Sequence, residues 1–117
     1  MNEIQVPFRV APELAARIVA LVPLLASDPD VAICRSPSRN TAYRIAALRG
    51  VKYYEKHLPT IPAEREYRRD RIRITLRLPS FLVRRIDGLA AATGADRSAV
   101  LRRALKVGAE LVEGKSL

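Results

Sequence analysis

The chain has 117 residues, enough for one compact core or for two very small units that share one. Hydrophobic residues make up 49% and charged residues 28%, which is ordinary for a globular protein and argues against a disordered chain, and the low aromatic content predicts a core of aliphatic side chains on helices. The formal net charge is +9, and arginine supplies 17 of the 21 basic side chains. Because guanidinium groups donate paired hydrogen bonds to phosphates and base edges, this balance favours a nucleic acid partner over a merely basic surface.

The positive charge is concentrated in the second half of the chain. Residues 1–58 hold eight basic and five acidic side chains, whereas residues 59–117 hold thirteen and seven. We therefore expect the second half to dominate any attraction to phosphate.

Several classes of protein are excluded by what the sequence lacks. Cys34 and His57 are single, so neither an intrachain disulfide nor a metal-ligand cluster of familiar spacing is expected. No Ser-His-Asp arrangement, glycine-rich phosphate loop or acidic metal cluster is present, so we expect no cofactor, no small-molecule substrate and no enzymatic activity. Glu3, Arg9 and Pro12 interrupt any apolar signal region, and no stretch is long enough to span a bilayer. These features predict a reduced, cytoplasmic protein without membrane contact.

The first half opens with apolar residues at every second position over residues 4–10, which predicts a strand. A helix should begin near Pro12, with Leu14, Ile18 and Leu21 on one face, and should stop or restart at Pro23. Turn-forming residues then fill residues 27–37, and a second helix follows Ser38, with Tyr53 and Tyr54 in its extension.

The second half shows the same order more clearly. Residues 71–78 alternate polar and apolar side chains, and Pro79-Ser80 ends this predicted half-buried strand. A helix with Leu82, Ile86 and Leu89 on one face should stop at Gly94. Asp96 can cap the next helix. In that helix the side chains expected to lie largely on the outer face are Arg97, Arg102, Arg103 and Lys106.

The two halves match each other along the chain. A shift of 68 residues lays Ile4–Val10 over Ile72–Leu78 and the first predicted helix over its counterpart, and a shift of 58 lays Arg39-Asn40 over Arg97-Ser98 and Gly50 over Gly108. One strand and two short helices cannot bury their apolar faces alone, so each copy needs a partner like itself. We predict a mostly α fold with a short two-stranded antiparallel β-ribbon, a strand-helix-helix unit twice in one chain, as a pseudo-dimer. Its parts are residues 1–58, a linker at 59–70, and residues 71–117.

The second copy resembles the ribbon-helix-helix superfamily of the Arc, CopG and methionine-repressor type. The resemblance lies in the strand Arg71–Pro79, the helix that follows it, Gly94, and Asp96-Arg97-Ser98 at the start of the last helix. Residues 3–52 look like a diverged member with a longer loop between the helices. The resemblance implies a tandem ribbon-helix-helix chain, a form found among plasmid and DNA-transfer accessory proteins, that binds double-stranded DNA.

In that family, outward side chains of the ribbon read bases in the major groove. By position, this role falls on Arg73, Thr75 and Arg77 of the second copy and on Gln5, Pro7 and Arg9 of the first. The two-residue alternation of side chains along a strand agrees with this assignment, because the alternate residues would then face the helices: Ile72, Ile74, Leu76 and Leu78.

The family also holds phosphates at the amino end of the second helix, which here predicts phosphate contacts for Arg97, Ser98, Arg39 and Asn40. Ordinary capping by Asp96 and Ser38 accounts for part of this pattern.

Pro7 departs from the family, because it has no N–H to give to a ladder unless it occupies a non-hydrogen-bonded position. If the two strands pair about their equivalent centres, Pro7 lies opposite Thr75, Gln5 near Arg77 and Arg9 near Arg73, so we expect an asymmetric DNA site.

The leading function is a transcriptional repressor, or an accessory protein that marks a plasmid or phage site in the nucleoid. The alternatives are an antitoxin, which the nine residues from Ala109 to Leu117 disfavour, and a nonspecific DNA-coating protein. Self-association on DNA stays open, as does domain exchange between chains.

Overall fold

The computed structural model describes residues 3–26, 38–57 and 71–114. In chain order these residues form β1 (Glu3–Val10), α1 (Pro12–Val19), α2 (Val22–Ala26), α3 (Arg39–Lys56), β2 (Ile72–Pro79), α4 (Ser80–Thr93) and α5 (Arg97–Val112). Among these described residues, the first segment (3–57) contributes a strand, two short helices and a long helix, and the second segment (71–114) contributes a strand and two helices. The predicted insertion at residues 27–37, which contains Cys34, and the linker at 59–70 lie outside the described residues.

β1 and β2 pair antiparallel in a two-stranded ribbon. The register sets Pro7 opposite Thr75, Gln5 opposite Arg77 and Arg9 opposite Arg73, which confirms the pairing predicted from equivalent centres. Alternation places apolar side chains on the face that packs against the helices, where the buried members are Val6, Phe8, Val10, Leu76 and Leu78.

The inward face is not covered along its whole length. Ile72, predicted to face the helices, is 44% exposed, and its equivalent Ile4 is 37% exposed. Both lie at the beginning of a strand, beyond the part of the ribbon that the helices cover, and Ile74 is only half-buried. The prediction for Ile72 was therefore wrong, because alternation assigns a face of the sheet and does not show where the covering helices end.

Most predicted helix boundaries are confirmed. Gly94 ends α4 in the left-handed conformation, with φ of 75°, which a glycine adopts without a Cβ clash. The side chain of Ser38 caps α3 by accepting a hydrogen bond from the Thr41 N–H, at 3.2 Å. Asp96 Oδ1 caps α5 in the same way from Ala99 N, at 2.7 Å. These caps satisfy N–H groups that the helices themselves leave unbonded.

The restart of the helix predicted at Pro23 is confirmed to within one residue. α1 ends at Val19 and α2 begins at Val22, so Pro23 lies in the first turn of α2. A proline in a first turn loses no intrahelical hydrogen bond, since the N–H groups there have no helical acceptor. Pro23 therefore opens the second short helix.

α3 and α5 form the centre of the helical layer, where their backbones touch. A Cβ atom added at Gly50 would lie 1.8 Å from the Ala104 carbonyl oxygen, and one added at Gly108 would lie 1.7 Å from the Ala46 carbonyl oxygen. The two contacts are reciprocal, because Gly50 and Ala46 correspond to Gly108 and Ala104 in the repeat. Only glycine allows this approach.

Arg102 is the second correction to the sequence prediction. It was expected on the outer face of the last helix, but it is only 9% exposed. Its Nη1 atom donates to the Arg9 carbonyl oxygen of β1 at 2.9 Å. The long apolar stem of an arginine can be buried while its head reaches a polar group at the edge of the core.

Candidate nucleic acid interface

The outward face of the ribbon gathers the six side chains predicted to read bases. All six are exposed, and they form three opposed pairs across the two strands: Gln5 with Arg77, Pro7 with Thr75, and Arg9 with Arg73. Within the described part of the chain, no carboxylate forms an ion pair with Arg9, Arg73 or Arg77. The face therefore presents uncompensated guanidinium groups to solvent.

The backbone of Arg77 shows which opposed residue pairs of the ribbon are hydrogen-bonded to each other and which are not. Its N–H donates to Asn40 Oδ1 at 3.1 Å, and its carbonyl accepts from Asn40 Nδ2 at 3.2 Å and from Arg44 Nη2 at 3.4 Å. These groups point away from β1, so Gln5 and Arg77 are a non-hydrogen-bonded pair. Because the pairs alternate along an antiparallel ladder, Pro7 with Thr75 and Arg9 with Arg73 are also non-hydrogen-bonded. Pro7 therefore costs the ribbon no ladder hydrogen bond.

Because the outward residues form non-hydrogen-bonded pairs, their side chains lie close together. Cα atoms in non-hydrogen-bonded pairs lie about 4.5 Å apart, nearer than in the alternating pairs. Arg9 and Arg73 are thus like charges directly opposite each other, an arrangement that destabilises a bare ribbon. A bound polyanion would relieve that repulsion.

Each edge of the ribbon accepts a hydrogen bond from an arginine of a long helix. Arg44 of α3 donates to the carbonyl of Arg77 on β2, and Arg102 of α5 donates to the carbonyl of Arg9 on β1. The two donors correspond in the repeat, and so do the two acceptors. Each helix therefore holds the strand of the other copy, which fixes the ribbon on its scaffold.

One end of the ribbon opens into a basic cleft of about 350 Å³. Its lining residues come from both strands and from α5 and the residue that caps it: Pro7, Phe8, Arg9, Arg71, Arg73, Asp96, Ser98 and Arg102. Asp96, the one carboxylate among them, is engaged in capping α5. The cleft can therefore hold an anion between the ribbon and the amino end of α5.

The four predicted phosphate contacts differ in their surroundings. Ser98 lines the cleft, and Arg39 is exposed in the first turn of α3. Asn40 uses both of its amide atoms on the backbone of Arg77. Arg97 lies outside the lining of the cleft and donates to both oxygens of Asp87, at 2.7 and 2.8 Å.

The Arg97–Asp87 pair is accessible to solvent. Its hydrogen bonds hold the pKa of the Asp87 carboxyl below its ordinary value and raise the pKa of Arg97. The side chains are 46% and 44% exposed, so water screens the pair and a phosphate can compete with Asp87 for the guanidinium.

Arg71 and Arg102 were not among the predicted site residues, although both line the cleft. Arg102 follows Ser98 by four residues, which is the spacing that places two side chains on one helix face. This spacing was the one signal in the sequence that could have identified Arg102 as a residue of the site.

A two-stranded antiparallel ribbon with exposed polar side chains, backed by helices, is the arrangement with which one class of proteins reads DNA. Residues 72–111, which hold β2, α4 and most of α5, match the model of the ribbon-helix-helix protein, copG family. Domains of this family are typically DNA-binding transcription regulators, are usually dimeric and are not enzymes. No curated protein and no solved structure matches the chain. Among the described residues, no helix is long and apolar enough to cross a membrane.

Proposed function

We propose that one chain of this protein binds double-stranded DNA at a specific sequence, as a repressor of transcription or as an accessory protein that marks a plasmid or phage site. The observation that carries the proposal is the outward face of the ribbon, where Arg9, Arg73 and Arg77 are exposed without a carboxylate partner among the described residues. The major groove is about 12 Å wide and admits a two-stranded ribbon.

The proposal includes a tandem arrangement in which residues 3–57 supply the second half of a ribbon-helix-helix pseudo-dimer. The reciprocal contacts of Gly50 with Ala104 and of Gly108 with Ala46 support it, as a two-fold axis between α3 and α5 would produce such a pair. The equivalent bonds from Arg44 and Arg102 to the ribbon support the same axis. The departure from a second complete unit is the division of its first helix into α1 and α2.

The outward side chains have the chemistry of base recognition. Arginine pairs with the O6 and N7 atoms of guanine, glutamine pairs with adenine, and the methyl group of threonine contacts the thymine methyl. Arg73, Arg77 and Arg9 would therefore prefer guanine, Gln5 would prefer adenine, and Thr75 would favour thymine.

The two ends of the ribbon differ, which argues for an asymmetric site. Arg73 corresponds to Gln5 in the repeat, and Arg71 corresponds to Glu3. At one end Arg9, Arg73 and Arg71 surround the cleft, whereas at the other end Glu3 neutralises Arg44 across 3.0 Å. The end with the cleft should hold the DNA more strongly.

Selection of binding sites from random duplexes tests the proposal. We expect an asymmetric sequence bound by one chain. Arg73→Ala and Arg77→Ala should each cost about 1–3 kcal/mol and relax base choice, whereas Arg97→Ala should weaken binding to all sequences alike. Arg84→Ala, at an exposed position of α4, is the matched control. A strict inverted repeat for one chain would contradict the asymmetry, and the absence of any preferred sequence would indicate a nonspecific DNA-coating protein.

A further inference from the structure

The two ends of the ribbon share one hydrogen bond and differ at two neighbouring positions. We call the end at Arg77 the α3 end and the end at Arg9 the α5 end, after the long helix that touches each. At the α3 end Arg44 donates to the Arg77 carbonyl, and at the α5 end Arg102 donates to the Arg9 carbonyl. The residues that differ between equivalent positions of the repeat are Asn40 and Glu3 at the α3 end, against Ser98 and Arg71 at the α5 end.

At the α3 end, Asn40 occupies the edge of the strand. The Arg77 N–H donates to Asn40 Oδ1 at 3.1 Å, and Asn40 Nδ2 donates to the Arg77 carbonyl at 3.2 Å. A carboxamide offers both an acceptor and a donor, so one side chain satisfies both backbone groups. A phosphate would need the same N–H as its donor. That position is therefore already taken by a group of this chain.

At the α5 end, Ser98 leaves the edge open. Arg9 and Arg73 are a non-hydrogen-bonded pair, so the N–H and the carbonyl of Arg9 also point away from the partner strand. Serine is shorter than asparagine and has a single oxygen in place of the carboxamide. The cleft of about 350 Å³ lies here, with Arg9 and Ser98 in its lining, and Asn40 takes no part in it.

The second exchange reverses the charge next to the helix arginine. At the α3 end, Glu3 Oε1 lies 3.0 Å from Arg44 Nη2. At the α5 end, Arg71 stands at the equivalent position and lines the cleft together with Arg102. Glu3 belongs to β1, so a phosphate that displaced it from Arg44 would still meet its negative charge. The α3 end therefore repels the group that the α5 end attracts.

We propose that Asn40 and Glu3 close the α3 end of the ribbon to the DNA backbone, so that a phosphate enters the edge of the ribbon at the α5 end only and the chain binds its site in one orientation. The inference rests on the proposed function, since it requires the ribbon to lie on DNA. It gives Asn40 a positioning role on the strand in place of a phosphate contact, and it makes Glu3 a determinant of orientation.

An exchange of residues between the two ends tests the inference. Asn40→Ser combined with Glu3→Arg gives the α3 end the residues of the α5 end. The variant should gain one phosphate contact, which raises affinity for the selected duplex about tenfold at about 50 mM salt and steepens the slope of log affinity against log salt by about 1. Fluorescence anisotropy measures both quantities, and circular dichroism checks the fold.

The reverse exchange should have the opposite effect. Ser98→Asn combined with Arg71→Glu gives the α5 end the residues that close the α3 end. Affinity should fall about tenfold at about 50 mM salt, and the slope should become shallower by about 1, because the phosphate in the cleft is lost.

The matched control adds the same net charge away from the ribbon. Glu55→Gln combined with Glu110→Gln changes the net charge by two, as Glu3→Arg does. Glu55 follows Asn40 by fifteen residues on α3, and Glu110 follows Ser98 by twelve on α5, which is about 22 and 18 Å along the helix axes. The control should leave the salt slope nearly unchanged.

The outcomes separate the inference from the proposed function. An exchange variant with the affinity and slope of the unmodified chain, or a control that gains as much, would overturn the inference. A folded exchange variant that binds more weakly would also overturn it, because Asn40 would then contribute to DNA binding. If the exchange variant does not fold, Glu3→Gln should still raise affinity about threefold relative to Glu55→Gln, and equal affinities would overturn the inference. Absence of specific duplex binding by the unmodified chain would instead count against the proposed function.

Discussion

Gly50 and Gly108 set the distance between the two long helices, since each faces a backbone carbonyl of the other helix. An alanine at either position would push its methyl group into a carbonyl oxygen that can move only if α3 separates from α5. We expect Gly50→Ala and Gly108→Ala each to lower the free energy of unfolding by about 1–3 kcal/mol or more. Urea unfolding followed by circular dichroism measures the change.

Gly88 provides the matched control for these substitutions. It is exposed on α4, and no heavy atom lies within 4 Å of an added Cβ. Gly88→Ala should raise stability by about 0.5–1 kcal/mol through the better helix propensity of alanine. Equal free energies of unfolding for all three variants would contradict the close backbone contact between α3 and α5.

At the scale of the elements, ion pairs connect helices that are distant in sequence. Arg85 of α4 donates two hydrogen bonds to the Glu55 carboxylate of α3, one of them at 2.9 Å. Arg17 of α1 binds the Glu113 carboxylate after α5, with its Nη2 atom 2.6 Å from Oε1. Both pairs join one segment to the other, so they hold the two segments together.

The Glu55–Arg85 pair should make stability depend on pH. The hydrogen bonds from Arg85 hold the pKa of Glu55 below its ordinary value of 4.5, so the folded state binds this proton less readily than the unfolded chain does. The pair therefore stabilises the protein above the ordinary carboxyl pKa, and its contribution is lost as the pH falls through the lowered value. About a third of each side chain is exposed, so we expect a contribution below about 1 kcal/mol.

A double-mutant cycle with Glu55→Gln and Arg85→Gln isolates that contribution. The coupling free energy should be favourable at about pH 7 and should vanish toward about pH 2, where the carboxyl is protonated. A coupling that stays constant over this range would show that packing, and not charge, links the two side chains.

At the scale of the whole molecule, the net charge of +9 should make DNA binding strongly dependent on salt. If about six phosphates are contacted, affinity should fall about a thousandfold between about 50 and about 200 mM salt. Arg97→Ala should reduce the slope of log affinity against log salt by about 1, whereas Arg73→Ala should leave the slope nearly unchanged. Fluorescence anisotropy titrations measure both slopes. A flat salt response would contradict DNA binding through phosphates.

The pairing of β1 with β2 within one chain predicts the stoichiometry of the complex. Both strands of the ribbon come from the same molecule, so sedimentation should give the mass of one chain in dilute solution and one chain for each selected site. A minimum of two chains for each site, with a dimer in the free state, would indicate that β1 and β2 are exchanged between molecules.

The sequence by itself determined the features that follow local rules. Alternation identified the two strands, and the 68-residue shift predicted which residues face each other, because both strands repeat the same apolar positions. Ser38, Asp96 and Gly94 identified helix boundaries, since capping depends on a side chain and its nearest backbone groups.

Only the tertiary structure decided the features that depend on surfaces meeting across the chain. It buried Arg102 beneath the edge of the ribbon, exposed Ile72 beyond the covering helices, and joined Asn40 to the backbone of Arg77. It also gathered Arg9, Arg71 and Arg73 around one cleft while Glu3 neutralised Arg44 at the opposite end. The physical reason is that periodicity assigns a residue to a face of its own element, whereas the neighbours of that face depend on how the elements pack.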